Sequence, residues 1–155
     1  MKKIIILGVA LLILVTGCGQ GNTTPTEEKM ICTRTANLNG VEMDLRYEVT
    51  YEGENVNRVQ TTEKVTTDSE DTLQQYKQQV ENIYSNFDNI EHYNYNVEIN
   101  GNTLTSTTDI DYTKIDIDEL LAIDSSIQQL LNDNDKIDLD SITQVYESAG
   151  ATCDK

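Results

Sequence analysis

The sequence has no tryptophan, one phenylalanine, one histidine and one proline. Positive charge is also scarce, with 11 basic residues against 27 acidic ones and a net charge of -16. Each shortage excludes something. The single histidine, His92, rules out a His-rich metal site and weighs against His-dependent catalysis. The few cations exclude nucleic-acid binding through a basic patch, which needs clustered Lys and Arg. The three cysteines form no CxxC pair of the kind a dithiol redox enzyme uses. There is no Ser-His-Asp order, no phosphate-cradling glycine loop and no zinc spacing. No metal or cofactor is therefore expected. At 155 residues the chain has room for one domain, and its periodic apolar residues distinguish it from a disordered chain.

What the sequence does have begins at its N-terminus. Lys2 and Lys3 precede the apolar stretch Ile4–Val15, interrupted only by Gly8. A membrane-spanning helix needs roughly 20 apolar residues, so this run has the size of a signal-peptide core instead. It ends in Val15-Thr16-Gly17-Cys18, an aliphatic residue, two small residues and a cysteine, the pattern of a bacterial lipobox. The expectation is a signal peptide over 1–17, cleaved ahead of a Cys18 that carries diacylglyceryl and a further acyl chain such as palmitate. One chain alone anchors only marginally, whereas two or three hold firmly.

Gly19 to Glu28 is small and polar, which suits a tether, so residues 18–28 are read as acylated cysteine and linker and 29–155 as one domain. Removing 1–17 takes away Lys2 and Lys3, leaving 27 acidic against 9 basic residues, a charge of -18. Anionic headgroups repel such a domain, so the lipid would make the membrane contact. The expected location is the extracytoplasmic face of a bacterial cell membrane. Cys32 and Cys153 then remain as candidates for a disulfide in an oxidising space, closing a loop of about 120 residues worth roughly 4–5 kcal/mol. The alternative is two free thiols, one in the sheet and one on the tail.

The domain reads as β-β-β-α-β-β-α-α. Met30–Leu38 and Val41–Glu52 alternate about Asn39-Gly40, a preferred hairpin pair. A two-residue turn sets Leu38 opposite Val41, Ala36 opposite Met43, Arg34 opposite Leu45 and Cys32 opposite Tyr47. Both apolar faces then coincide, with Arg34 the exception, left to reach the sheet edge or a carboxylate. The Thr-rich stretch Asn55–Thr67 suggests an edge strand or one solvated on both faces. A helix starts near Ser69, with Thr67 and Glu70 as a capping box and Leu73, Tyr76, Val80, Ile83, Tyr84 and Phe87 as its stripe. A second hairpin turns at Asn100-Gly101 and sets Val97 opposite Leu104. Asp116 caps a helix reaching Leu131, and Asp140 caps a last one ending at Gly150. Two hairpin units with amphipathic helices on one face make an α+β domain built on an antiparallel sheet.

At Cys32, at Thr108-Asp109-Ile110-Asp111-Tyr112 and at the Tyr146–Gly150 ending, the chain resembles the YehR-like family of small bacterial lipoproteins of unknown function. The resemblance spans essentially the whole chain. It implies an α+β lipoprotein domain and brings no catalytic residues with it.

Three constellations invite chemistry. Asn132–Asp138 has the look of a calcium loop, but counted from Asp133 the fifth and sixth positions are Ile137 and Asp138, where an EF-hand wants an oxygen ligand and glycine. A solvated loop with capping aspartates is the plainer reading. Asp109 and Asp111 share a strand face and offer paired carboxylates for hydrolysis, against solvated alternation. Tyr51 and Tyr95 offer stacking surfaces for sugars, against ordinary core tyrosines. The function expected is a non-catalytic binding or interaction module at the cell envelope, held to the membrane through Cys18 and meeting an envelope protein or small ligand. An envelope hydrolase is the alternative.

Overall fold

Residues 26–154 are described by a computed structural model of the protein. The expected signal peptide, Cys18 and most of the expected tether lie outside the described residues. The first hairpin forms as its sequence demands. β1 (Glu28–Leu38) and β2 (Val41–Glu52) meet at Asn39 and Gly40, whose φ angles of 53° and 82° are the left-handed pair a tight hairpin requires. The register is Leu38 to Val41, Ala36 to Met43, Arg34 to Leu45 and Cys32 to Tyr47, as the matching of faces predicts.

β3 (Asn55–Thr66) is not an edge strand. It lies in the sheet interior, between β2 and β5, in the antiparallel order β4-β5-β3-β2-β1-β6. Its alternation is hidden because the ladder with β2 shifts between Thr50 and Tyr51, where Asn57 is the extra residue. On either side of that bulge Val56, Val59 and Val65 are buried.

β4 (Tyr93–Asn100) and β5 (Thr103–Asp111) form the second hairpin. Val97 lies opposite Ser106, not Leu104, and Ile99 takes Leu104. The turn residues are Gly101 and Asn102, with only Gly101 at positive φ, 62°. A slip of two residues keeps every side chain on its own face, so matching apolar faces cannot detect it.

α1 (Glu70–Tyr84) starts where expected, but without the Thr67–Glu70 capping box, because the Thr67 hydroxyl accepts from the Ser69 N–H instead. Its N-cap Ser69 accepts from the Thr72 N–H at 3.2 Å. The second helix is shorter than its apolar stripe suggests. α2 covers Ile117–Ile123, and the chain then breaks at Asp124, whose carboxylate takes the Ser126 N–H at 2.9 Å and opens a 3-10 helix, Ser125–Leu130. α3 (Leu139–Ser148) is capped by Asp138 rather than Asp140, through the Ser141 N–H at 2.8 Å. A last strand, β6 (Thr152–Asp154), was not expected; at three residues it is too short to show a pattern. It pairs with β1 and sets Cys153 against Cys32, and the two are joined in a disulfide.

The helices lie on one face of the sheet, and the core divides into three clusters. Met30, Cys32, Val49 and Val59 pack with Ile137, Leu139 and Ile142 beneath α3. Val65 and Leu104 pack with Leu73 of α1. Ile90 and Ile115 pack with Leu120 of α2. No helix among the described residues is long and apolar enough to cross a membrane.

Candidate functional site

The other face of the sheet carries no helix and, apart from Ile31, is polar. Arg46, Arg58, Lys64 and Lys29 rise from it among Thr33, Thr35, Thr62, Thr105 and Thr107. With Lys114, it gathers five of the eight basic residues described. Three shallow depressions of about 320, 420 and 300 Å³ run across it; Gln60 joins the first two, and Arg46 and Thr62 join the first and third.

Its charges are largely paired within the face. Arg58 grips Asp109 through both guanidinium arms, one of them Nε to Oδ1 at 2.6 Å. Lys29 reaches Glu48 at 2.6 Å, and Arg46 meets the same carboxylate at 3.5 Å. Lys114 binds Asp111 at 2.7 Å. Thr35 donates to Asp44 at 2.8 Å.

These contacts decide what the expected carboxylate pair can do. Asp109 and Asp111 do share the open face. The hydrogen bond from Arg58 is the main force holding the Asp109 carboxyl below its usual value. Hydrogen bonds from Lys114 and Thr113 bring Asp111 down to about 2. A general acid needs the opposite shift. Each carboxylate here serves a cation beside it.

The remaining expected residues separate. Tyr51 is buried core. Tyr95 is half-buried, its ring 5.2 Å from that of Tyr84. His92 is exposed at φ 67°, and its carbonyl accepts from the Asp111 N–H at 3.2 Å. The Asn132–Asp138 loop closes on itself, with the Asn132 side-chain oxygen accepting from the N–H groups of Asn134 and Lys136. Among the described residues no group of three His, Cys, Asp or Glu side chains is placed to hold a metal ion. Arg34 reaches no carboxylate; its side chain lies against the backbone at Gly150, just past the end of α3, where a cation suits the helix dipole.

The covered face holds a second polar region that the sequence reading missed. α1 packs over β4 and β5, while α3 packs over β6. Between them, two cross-sheet rows are not apolar. One runs Arg34, Leu45, Glu63, Ser106, Val97; the next runs Cys32, Tyr47, Thr61, Thr108, Tyr95. Glu63 is half-buried here, and the buried Ser106 hydroxyl donates to it at 3.4 Å. Tyr47 stacks on Tyr146 of α3 with centroids 4.0 Å apart. Burial first and the Glu63 charge second push up the pKa of Tyr47 and of Tyr84. The signal was present in the sequence: once β3 pairs with β2, the alternation Val59, Thr61, Glu63, Val65 places Glu63 opposite Leu45, on the covered side.

Comparison with known proteins agrees with this architecture. The family described as "Protein of unknown function (DUF1307)" matches residues 32–152. That span contains Cys32, the Thr108–Tyr112 segment and the Tyr146–Gly150 ending, which carry the resemblance to YehR-like proteins. No curated protein matches the chain. Among solved structures, the NMR structure of the Escherichia coli YehR protein is similar with a TM-score of 0.55 and 21% identity, over 83% of this chain and 91% of that one. The NMR structure of a protein from Streptococcus pneumoniae TIGR4 is similar with a TM-score of 0.51 and 14% identity, over 99% and 98% of the two chains. At these identities the likeness is one of fold.

Proposed function

The chain belongs to the DUF1307 family of proteins of unknown function, and from that footing we propose that it is a lipid-anchored binding module at the bacterial cell envelope. Cys18 carries the acyl chains, and the domain faces outward from the membrane without catalysing a reaction. The observation that carries the reading is the open sheet face. It is broad and shallow, set with threonine hydroxyls and paired charges, and its two aligned carboxylates are held by cations. Such a face supports recognition by many modest hydrogen bonds, the usual composition of a protein-binding surface away from its apolar centre. The lipobox and the Cys32–Cys153 bridge support export.

Two coupled measurements test this. Intact mass from membrane extracts should equal the Cys18–Lys155 chain plus diacylglyceryl, and Cys18→Ala should lose the adduct. A photo-crosslinking residue at Thr105, on the open face, should give a discrete envelope adduct that the same residue at Gln78 on α1 does not. An unacylated mass would remove the anchor, and equal labelling from both positions would remove the open face as the contact surface.

A further inference from the structure

Glu63 is in an unusual position for a carboxylate. It projects from an interior strand on the helix-covered side of the sheet, in a row with Leu45 and Val97. A desolvated carboxylate is costly unless it is paired and hydrogen-bonded. Glu63 makes no ion pair with any described lysine or arginine, and its hydrogen bond from Ser106 is long at 3.4 Å. The cation in its own row, Arg34, stands two strands away, about 9.6 Å at the usual strand spacing. The Arg34 side chain leans instead towards Gly150, with Nε 3.7 Å from where a Cβ there would lie.

Two tyrosines lie near this carboxylate, Tyr47 as its diagonal neighbour across the β2–β3 ladder and Tyr84 on α1, which packs over the strand that carries Ser106, and each ring is packed on a further tyrosine. Tyr47 is stacked against Tyr146 with an interplanar angle of 14°. Tyr84 is tilted against Tyr95 at 46°. The Glu63 charge is felt by both phenols. A carboxylate near rigid aromatic rings suits an ammonium group, which gains a charge-assisted hydrogen bond and the attraction of the ring faces. A hard metal ion is a poor occupant, since it needs several oxygen ligands and Glu63 brings a single carboxylate. The strongly negative domain draws cations towards it.

We infer that Glu63, Tyr47 and Tyr84 form a binding site for a small primary alkylamine in the seam between α1 and α3. The ammonium group sits on Glu63, and the alkyl chain lies against Leu45, its neighbour in the row. The inference goes beyond the proposal above, because it concerns the opposite face of the sheet and holds whether or not the open face has a partner.

The test is a nitrogen-15 NMR titration of the full chain in detergent micelles with n-butylammonium chloride, matched against sodium chloride. Saturable shifts are expected at the amides of Thr61–Val65 and Ser106, and sodium chloride should not produce them. Glu63→Gln keeps the shape and an acceptor for Ser106, and should weaken binding roughly tenfold. Tyr84→Phe keeps the ring and should retain binding. The inference is overturned by shifts that rise linearly with either salt, by shifts centred on Thr105 and Thr107, or by equal affinity in Glu63→Gln. Should Glu63→Gln fail to fold, the location and saturation of the shifts in the native chain still decide it.

Discussion

On the open face of the sheet Arg58 grips Asp109 and Lys114 grips Asp111; on the covered face, in the same strand as Arg58, Glu63 has only the Ser106 hydroxyl. The two faces reverse the usual expectation. The exposed charges have partners, although water would have tolerated them alone. The half-buried charge lacks a cation, although burial makes the lack costly. Paired charges on a wide face allow contact over an area without a strong pull at any point. An uncompensated carboxylate exerts a pull at one point. In the two proposals made above, the difference corresponds to two kinds of recognition on one sheet, the first broad and the second directed at a single positive group.

The comparison can be strained first at the bridge that pins the edge of the sheet. Cys32 is fully buried and is tied to Cys153 across a sequence separation of 121. Replacing both with alanine should cost about 4–5 kcal/mol in urea unfolding, by the loop-closure estimate. A loss below about 1 kcal/mol would mean that the packing of α3 alone holds the C-terminal end.

The next effect separates the faces directly. Leu104 and Thr105 are neighbours in β5, one fully buried beneath α1 and the other on the open face. Leu104→Ala should cost about 2–5 kcal/mol. Thr105→Ala should stay within about 0.5 kcal/mol. Similar costs would show that the open face is covered in solution.

A smaller effect sharpens the account of the open face. The Arg58–Asp109 pair is partly solvated, with side chains 48% and 31% exposed. A double-mutant cycle with alanine should give a coupling of about 0.2–1 kcal/mol. Asp109 and Asp111 both have lowered pKa values in the folded protein, Asp111 at about 2. Their contribution is therefore complete above the unfolded carboxylate value near 4 and is lost as pH falls through the folded value. The cycle repeated at successively lower pH should lose the Arg58–Asp109 coupling as Asp109 protonates, and a coupling unchanged once its carboxyl carbon-13 shift reports protonation would contradict the ion-pair reading.

Much of this was legible in the residues. Asn39-Gly40 and the strict alternation of β2 fixed the first hairpin to the residue, because a two-residue turn at that pair sets the register and the apolar faces agree with it. The α+β class and the helix-covered face follow from the same patterns, and the partnership of Cys32 with Cys153 follows from the cysteine count once Cys18 is set aside for the lipid. The second hairpin was misread by two residues because Val97 meets an apolar-face position in either register. β3 reads as an edge strand or one solvated on both faces because its threonines and charges hide two populations. Arg58, Gln60, Thr62 and Lys64 face outward, while Val59 and Val65 face the core, and the extra residue Asn57 breaks the rhythm between Val56 and Val59. The same misreading concealed Glu63. Its burial depends on β2 and β5 closing on either side of it, a long-range fact that the local sequence does not carry. Asp124 ended α2 early for a local reason, since its carboxylate captures the Ser126 N–H and competes with the helix.

The central claim is that Glu63 is kept for binding and against stability. The direct measurement is the urea unfolding free energy of Glu63→Leu beside the native protein, in the absence of any amine. Leucine would join Leu45 beside it and remove an uncompensated half-buried charge. The account predicts a variant as stable as the native chain or more stable, by up to about 1 kcal/mol, as is common where a functional residue is replaced by an apolar one. A loss of more than about 1 kcal/mol would contradict it and make Glu63 a structural member of the Ser106 and tyrosine network.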